Sequence, residues 1–504
     1  MLALLPSLLG FVKPHIDYHA LAPEIVLSAA IVAVLIADLV FDERKKWATS
    51  TIAGLGVLGA LIPVLTLAAN GTDRVMFGGA YVVDNFALIT KALFLIAGYI
   101  VILLSANYIG EGDYAEGEYH FLLLCSLLGM IVMGSSRDLI SIFVALETLS
   151  IPAYMLAGWR KRDLKSNEAS MKYYLLGVFA SAIMLYGMSL LYGVTGSTVL
   201  QTIGAGITKG SFSQPIITLG VLFIIIGFAF KVSAVPFHSW APDTYEGAPT
   251  PITAFLSVAS KAAGFVALAQ LVYVGFASRS DVYAPLFWVL AALTMTVGNV
   301  VALRQTNIVR MLAYSSIAQA GYILVPFATL GQGKQDGRSA LTAVITYLLV
   351  YAAMNLGAFA VIIAVSRKTR SGEISSFGGL FSYAPGLAVL MTVFLFSLAG
   401  IPPLGGWIAK FTVFRAVLDA GTGWAVALGV IAAVNSVIAL YYYASVAKEM
   451  WMKPVSDGDK TPIKVPASLS IALGITALAT VVIGVLPNFV VRFGDLAHLA
   501  AFGK

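Results

Sequence analysis

Of 504 residues, 59% are hydrophobic and only 11% charged, with a mean hydropathy of +0.90; this balance excludes a soluble globular domain and reads as an all-α polytopic membrane protein. The net charge of +6 does not mark a nucleic-acid binder, because the basic residues lie in short loops between apolar stretches, the pattern that orients membrane proteins. One cysteine, Cys125, and five histidines (His15, His19, His120, His238 and His498), with no CxxC and no glycine-rich nucleotide loop, argue against an iron–sulfur, nucleotide or haem site in this chain.

A spanning helix needs about 20 apolar residues. Fourteen stretches qualify, beginning near residues 22, 48, 85, 119, 138, 168, 215, 249, 285, 306, 339, 384, 425 and 466. The start, Met1–Val12, lacks a basic n-region and an A-x-A site and is not read as a signal peptide. Residues 1–118 hold helices one to three. There Lys91 follows Asp84 by seven residues and is read as an anchor rather than a relay. Residues 119–278 hold helices four to eight. Helix five carries Glu147 in FVALETLSIP, the carboxylate placed in the middle of an apolar helix. Helix six carries Lys172 in SNEASMKYYLLG, about one turn in, as either an interfacial snorkelling lysine or a functional one.

Helix seven contains GFAFKVSAVPFHSW, with Lys231 five residues before Pro236. Proline removes a backbone donor and clashes with the preceding turn, so the helix is expected to break there. His238 follows the break, either bridging a water chain or bonding an exposed carbonyl. Asp243 and Glu246 in APDTYEGAP are read as loop residues that cap a helix. Helix eight carries Lys261 in TAFLSVASKAAGF, among small residues that permit close helix approach.

Residues 279–452 hold helices nine to thirteen. Helix twelve contains LAGIPPLGGWIAKF, with Lys410 seven residues after Pro403 and a second break at Pro402 and Pro403. Tyr441–Tyr443 reads as an aromatic belt or packing feature. Residues 453–504 hold helix fourteen. Neither Gly110–His120 nor Lys453–Lys464 is long enough to fold alone. Broken helices seven and twelve stand five apart, and paired breaks in corresponding halves point to inverted repeats. The expected architecture is two five-helix repeats, helices four to eight and nine to thirteen; Tyr174-Leu-Leu and Tyr347-Leu-Leu supply a weak echo between them. Loops after odd-numbered helices, such as Arg44–Lys46, Arg160–Lys165 and Arg367–Arg370, hold most of the loop lysines and arginines. Both termini are therefore expected on the non-cytoplasmic side.

A charge at the bilayer centre costs about 2.5–3.5 kcal/mol on insertion scales, so Lys91, Glu147, Lys172, Lys231, Lys261 and Lys410 together suggest a route for ions or protons. Desolvation favours the neutral form of a buried amine and a nearby carboxylate favours the charged form. A Glu147–Lys231 pair that opens and closes would thus act as a proton switch, with Lys261 relaying toward Lys410. The competing reading is a static structural ion pair.

At these residues the chain resembles a known family. The segment FKVSAVPFHSWAPDTYEGAPTPITAFLSVASKAAGF and the segment SLAGIPPLGGWIAKF are similar to the two hallmark segments of the antiporter-like proton-translocating subunits of respiratory complex I, relatives of Mrp-type cation/proton antiporters. FVALETLSIPAYMLAG, SNEASMKYYLLG and NIVRMLAYSSIAQAGY are similar to the N-type; the M-type usually has glutamate where this chain has Lys410. The resemblance implies a fourteen-helix fold, with Glu147 and Lys231 as the ion pair of helices five and seven. It implies Lys261 and Lys410 as the central and terminal lysines, and Lys172 as a helix-six lysine of N-type subunits. His238 matches a motif histidine. It further implies proton translocation coupled to NADH:quinone electron transfer, M-type and K-type neighbours, and a bacterial inner membrane or similar energy-transducing membrane. FMN, iron–sulfur clusters and quinone would reside in partner subunits, with no cofactor in this chain. An antiporter without redox chemistry and a structural spacer with static lysines are the rival expectations.

Overall fold

The computed structural model describes residues 16–42, 47–110, 116–209, 214–331, 337–456 and 458–499. Met1–Val12, His15, the Arg44–Lys46 loop and Lys334 lie outside the described residues. Among those described, thirteen unbroken helices are long and apolar enough to cross a membrane. They account for every predicted span except the twelfth, which is made of two shorter helices.

The spans are α1 (Ala22–Val40), α2 (Trp47–Asn70), α3 (Asn85–Gly110), α4 (Glu116–Ser135), α5 (Leu139–Ala157), α6 (Leu164–Thr195) and α7a (Gln214–Lys231). They continue as α8 (Thr250–Gly275), α9 (Ser280–Ala302), α10 (Ile308–Thr329), α11 (Arg338–Thr369), α13 (Gly423–Met452) and α14 (Ala467–Val485). The broken spans are completed by α7b (Trp240–Gly247), and by α12a (Pro385–Ala399) with α12b (Gly405–Ala420). A last helix, α15 (Asn488–Leu496), follows. A small antiparallel hairpin, Arg74–Met76 against Tyr81–Val83, joins α2 to α3.

Helix starts follow local chemistry. The carboxylate of Asp138 accepts from the Ile140 and Ser141 amides at 2.9 and 3.0 Å, and Asn307 caps α10 in the same way. These contacts satisfy amides that lack intrahelical partners. The bundle centre is α8, buried along its whole apolar window, with α10 and α11 nearly so. By contrast α1, α2, α6, α13 and α14 bury only about a third of theirs and leave the rest on the outside of the bundle. In lipid every backbone group must find a partner, so non-helical backbone is confined to the protein interior or a polar cavity.

Both proline breaks form where expected. α7a ends at Lys231 and α7b begins at Trp240; α12a ends at Ala399 and α12b begins at Gly405. Gly400 closes α12a at φ 91°, a left-handed conformation, and a Cβ there would lie 2.7 Å from Cδ of Lys410. Glycine thus both ends the helix and leaves room for the lysine stem. One local expectation is corrected: Asp243 and Glu246 sit within helix α7b, not in a loop. Pro242 falls in its first turn, where a missing amide costs the helix nothing.

Candidate functional site

Three lysines expected to carry chemistry form a row through the buried centre: Lys231, Lys261 and Lys410 are each 4% exposed or less. Lys231 is the last residue of α7a. Its Nζ donates to Ser150 Oγ at 2.8 Å and to Tyr173 OH at 3.2 Å. Trp240 stacks on Tyr173, with centroids 4.4 Å apart and planes 10° from parallel. Its indole N–H donates to the Phe230 carbonyl at 3.0 Å, tying the far side of the break back to α7a. Tyr245 meets Trp240 edge-on at 6.2 Å, and Lys261 Nζ lies 5.5 Å from the Tyr245 ring centroid. An aromatic wall therefore runs from the first lysine to the second.

Lys261 follows the first of two π-helical turns inside α8, Leu256–Ser260 and Leu271–Gly275. Such wider turns recur at functional sites because they redirect side chains. Its Nζ donates to Ser316 Oγ at 2.7 Å. From there the polar face of α10 carries the row onward. Ser315 shares a hydrogen bond with Tyr443 OH at 2.6 Å. Gln319 Nε2 donates to the Leu398 carbonyl at 3.0 Å and to Tyr443 OH at 3.3 Å. Tyr347 OH donates to Gln319 Oε1, and Tyr322 bonds Ser436 at 3.0 Å. Lys410 Nζ then lies 4.7 Å from the Tyr322 centroid and donates to the Ala399 carbonyl at 2.7 Å. Gln319 and Lys410 thus hold adjacent carbonyls at the C-terminal end of α12a, where the helix dipole favours a cation.

Ser315, Ser316, Gln319 and Tyr322 are the functional candidates that the charged residues alone did not reveal. The available signal was their spacing: within an apolar helix Ser315, Gln319 and Tyr322 recur at intervals of four and three, with Ser316 adjoining Ser315, so they cluster on one side. Of the tyrosine run, only Tyr441 suits a lipid-facing belt, being 70% exposed. Tyr443 joins the polar row, and Tyr442 OH donates to Asn299 Oδ1 at 3.0 Å.

The other candidates fall elsewhere. Glu147 makes no ion pair with Lys231; its carboxylate accepts from Ser181 Oγ at 2.6 Å. Lys231 instead reaches α5 at Ser150, one turn beyond Glu147. His238 is half-buried, and its Nδ1 has no hydrogen-bond partner among the described residues. Pro236 is exposed at the break.

Lys172 is not in the row. It pairs with Glu168 at 2.6 Å and Asp243 at 2.8 Å, at 42% side-chain exposure. Arg310 joins the same cluster at 2.9 Å from Asp243 and 3.0 Å from Glu246. Asp243 and Glu246 are therefore ion-pair partners rather than caps.

Lys91 corrects the anchor reading. It is fully buried and pairs with Glu24 at 2.8 Å, with Tyr81 OH accepting from Nζ at 3.0 Å. Beside it in sequence, Asp84 pairs with Arg137 at 2.8 Å, both buried. Glu24 opens α1 and its partner lies two helices away, so nothing local announced the pair. Among the described residues no group of three His, Cys, Asp or Glu side chains could hold a metal ion.

Fourteen spans among the described residues, two of them broken, around a central row of amines define an antiporter-like membrane subunit. Residues 136–436 match the family described as NADH:quinone oxidoreductase/Mrp antiporter, TM. The chain is 41% identical over 484 residues to the NADH-quinone oxidoreductase subunit N of Trichlorobacter lovleyi, covering 96% of this chain and 97% of that one. Its fold matches a chain of respiratory complex I from Thermus thermophilus with a TM-score of 0.76 at 30% identity, covering 93% of this chain and 98% of that one. A chain of the Mrp complex from a Dietzia species shares the fold, with a TM-score of 0.83 at 20% identity, over 96% of this chain and 97% of that one. The chain belongs to the NADH-quinone oxidoreductase subunit N family.

Proposed function

We propose that this chain is a proton-translocating subunit of the membrane arm of an NADH:quinone oxidoreductase. The observation that supports the reading most is the row Lys231–Lys261–Lys410, joined by the polar face of α10. In each transfer a proton leaves one ammonium, crosses a hydroxyl or water, and lands on a neutral amine. Lys231 bound to Ser150 is then the open state of the switch. Closing it onto Glu147 moves the amine by about one helical turn, roughly 5 Å along α5. Lys410 mediates release or lateral transfer.

In the same reading the chain itself carries no redox centre. FMN, iron–sulfur clusters and quinone belong to partner subunits, and M-type and K-type subunits are its neighbours. Residues 119–278 and 279–452 act as two inverted proton-translocating units, flanked by 1–118 and 453–504. Lys172 and His238 serve as access residues rather than members of the row. The membrane is the bacterial inner membrane, with both termini on its non-cytoplasmic side. A protease site added at either end is expected to be cut from outside spheroplasts, and cutting only from the cytoplasmic side would refute that orientation.

The function is tested with the purified complex in vesicles given NADH and quinone. Acidification of the lumen that persists without sodium is the expected result. Sodium–proton exchange without NADH would support the second reading, a cation/proton antiporter, which the fold shared with the Mrp chain favours.

A further inference from the structure

An apolar slot of about 370 Å³ opens among α2, α3, α11, α14 and α15, and none of the three lysines of the row lines it. On α3 it is lined by one face running from Asn85 through Ala92 to Ile100. Fifteen residues at about 1.5 Å each make it roughly 22 Å long. Half of a bilayer about 40–45 Å thick, headgroups included, has the same depth.

At the Asn85 end the slot meets a second cavity, of about 390 Å³, and the two share Asn85 and Leu496. This second cavity changes character: Arg338, Thr342, Asp495 and His498 line it. Arg338 is exposed at its rim. Between the two lies α15, which presents Phe489, Phe493 and Leu496 on one face, 63%, 40% and 43% exposed. Arg492 and Asp495 stand on its other positions, the composition of a helix lying in the membrane interface. A greasy slot of one-leaflet depth thus ends at a guanidinium placed at headgroup level. Arginine binds phosphate oxygens in bidentate fashion.

We infer that this slot is a specific phospholipid site, with one acyl chain along α3 and the lipid phosphate at Arg338. Asp495, 3.1 Å from Thr342 Oγ1, stands beside the phosphate position as the counterpart for a headgroup ammonium. Bound there, the lipid joins α2 and α3 to α11 and α14, sealing the outer helices to the core.

The test is native mass spectrometry of the intact, detergent-purified complex. Wild-type complex is expected to retain one phospholipid more than Ala92→Phe, which fills the slot. Arg338→Gln is expected to release that lipid at lower detergent exposure. If Ala92→Phe fails to assemble, Ala353→Phe, on the facing wall of the slot, decides the same point. Equal phospholipid counts in wild type and slot-filled complexes overturn the inference. A density map in which a neighbouring subunit's side chains occupy the slot overturns it as well.

Discussion

Lys261→Met is expected to lower both NADH:quinone turnover and proton translocation by on the order of a hundredfold, the scale of losing a positioned proton carrier. Methionine keeps the length of the side chain and removes its titratable group. The variant should still assemble. Ser316, the hydrogen-bond partner of Lys261, also donates to the Ala313 carbonyl at 2.8 Å and so is not left unsatisfied. Removing a buried charge that has no carboxylate beside it costs no ion pair. Lys261→Arg sharpens the test, because arginine holds positive charge but does not release its proton in proteins. If Lys261 carries protons, the arginine variant fails as the methionine variant does. If Lys261 supplies only a static field, arginine restores turnover. Proton uptake and quinone reduction measured on both variants separate the two outcomes.

Lys91→Met is expected to act on stability instead. The change leaves Glu24 at 8% exposure without its cation, and breaking one partner out of a buried pair costs about 3–5 kcal/mol. Glu24 lies in the first turn of α1, near the helix end, so the lower part of that range is expected. Replacing both members together, Lys91→Met with Glu24→Leu, should recover most of the loss, since a buried pair often gives way to apolar side chains at no cost. Thermal unfolding of the purified complex reads this difference directly. Pumping per electron should stay at the wild-type value in whatever fraction assembles. A fall in that ratio would place Lys91 in the proton route and contradict its reading as a structural clasp.

The spans and their breaks were legible because each rests on local chemistry. Apolar runs of about 20 residues mark helices, and Pro236, Pro402 and Pro403 remove backbone donors within them. Lys231, Lys261 and Lys410 stood out because charges are rare at membrane depth. Relations between helices were not legible. Glu24 and Lys91 lie on α1 and α3, and only packing brings them to 2.8 Å. Ser316 and Gln319 look ordinary on α10 until α8 and α12a place Lys261 and the Leu398 carbonyl against them. Lys172 appeared to lie within a span, yet α6 is 32 residues long and places it among the charges of α7b. The Glu147–Lys231 pairing was inferred from residue type alone. Ser150 on the same helix accepts the lysine instead, a distinction of one turn that no sequence pattern carries.

The most direct test of the proton row is Lys231→Met, with quinone reduction and proton pumping followed together in vesicles after assembly is confirmed. Loss of both in parallel is the predicted result, because the first amine of the row would be missing and the two processes are coupled. Quinone reduction and pumping at wild-type levels would contradict the account, leaving Lys231 as a structural charge and the row as scaffold.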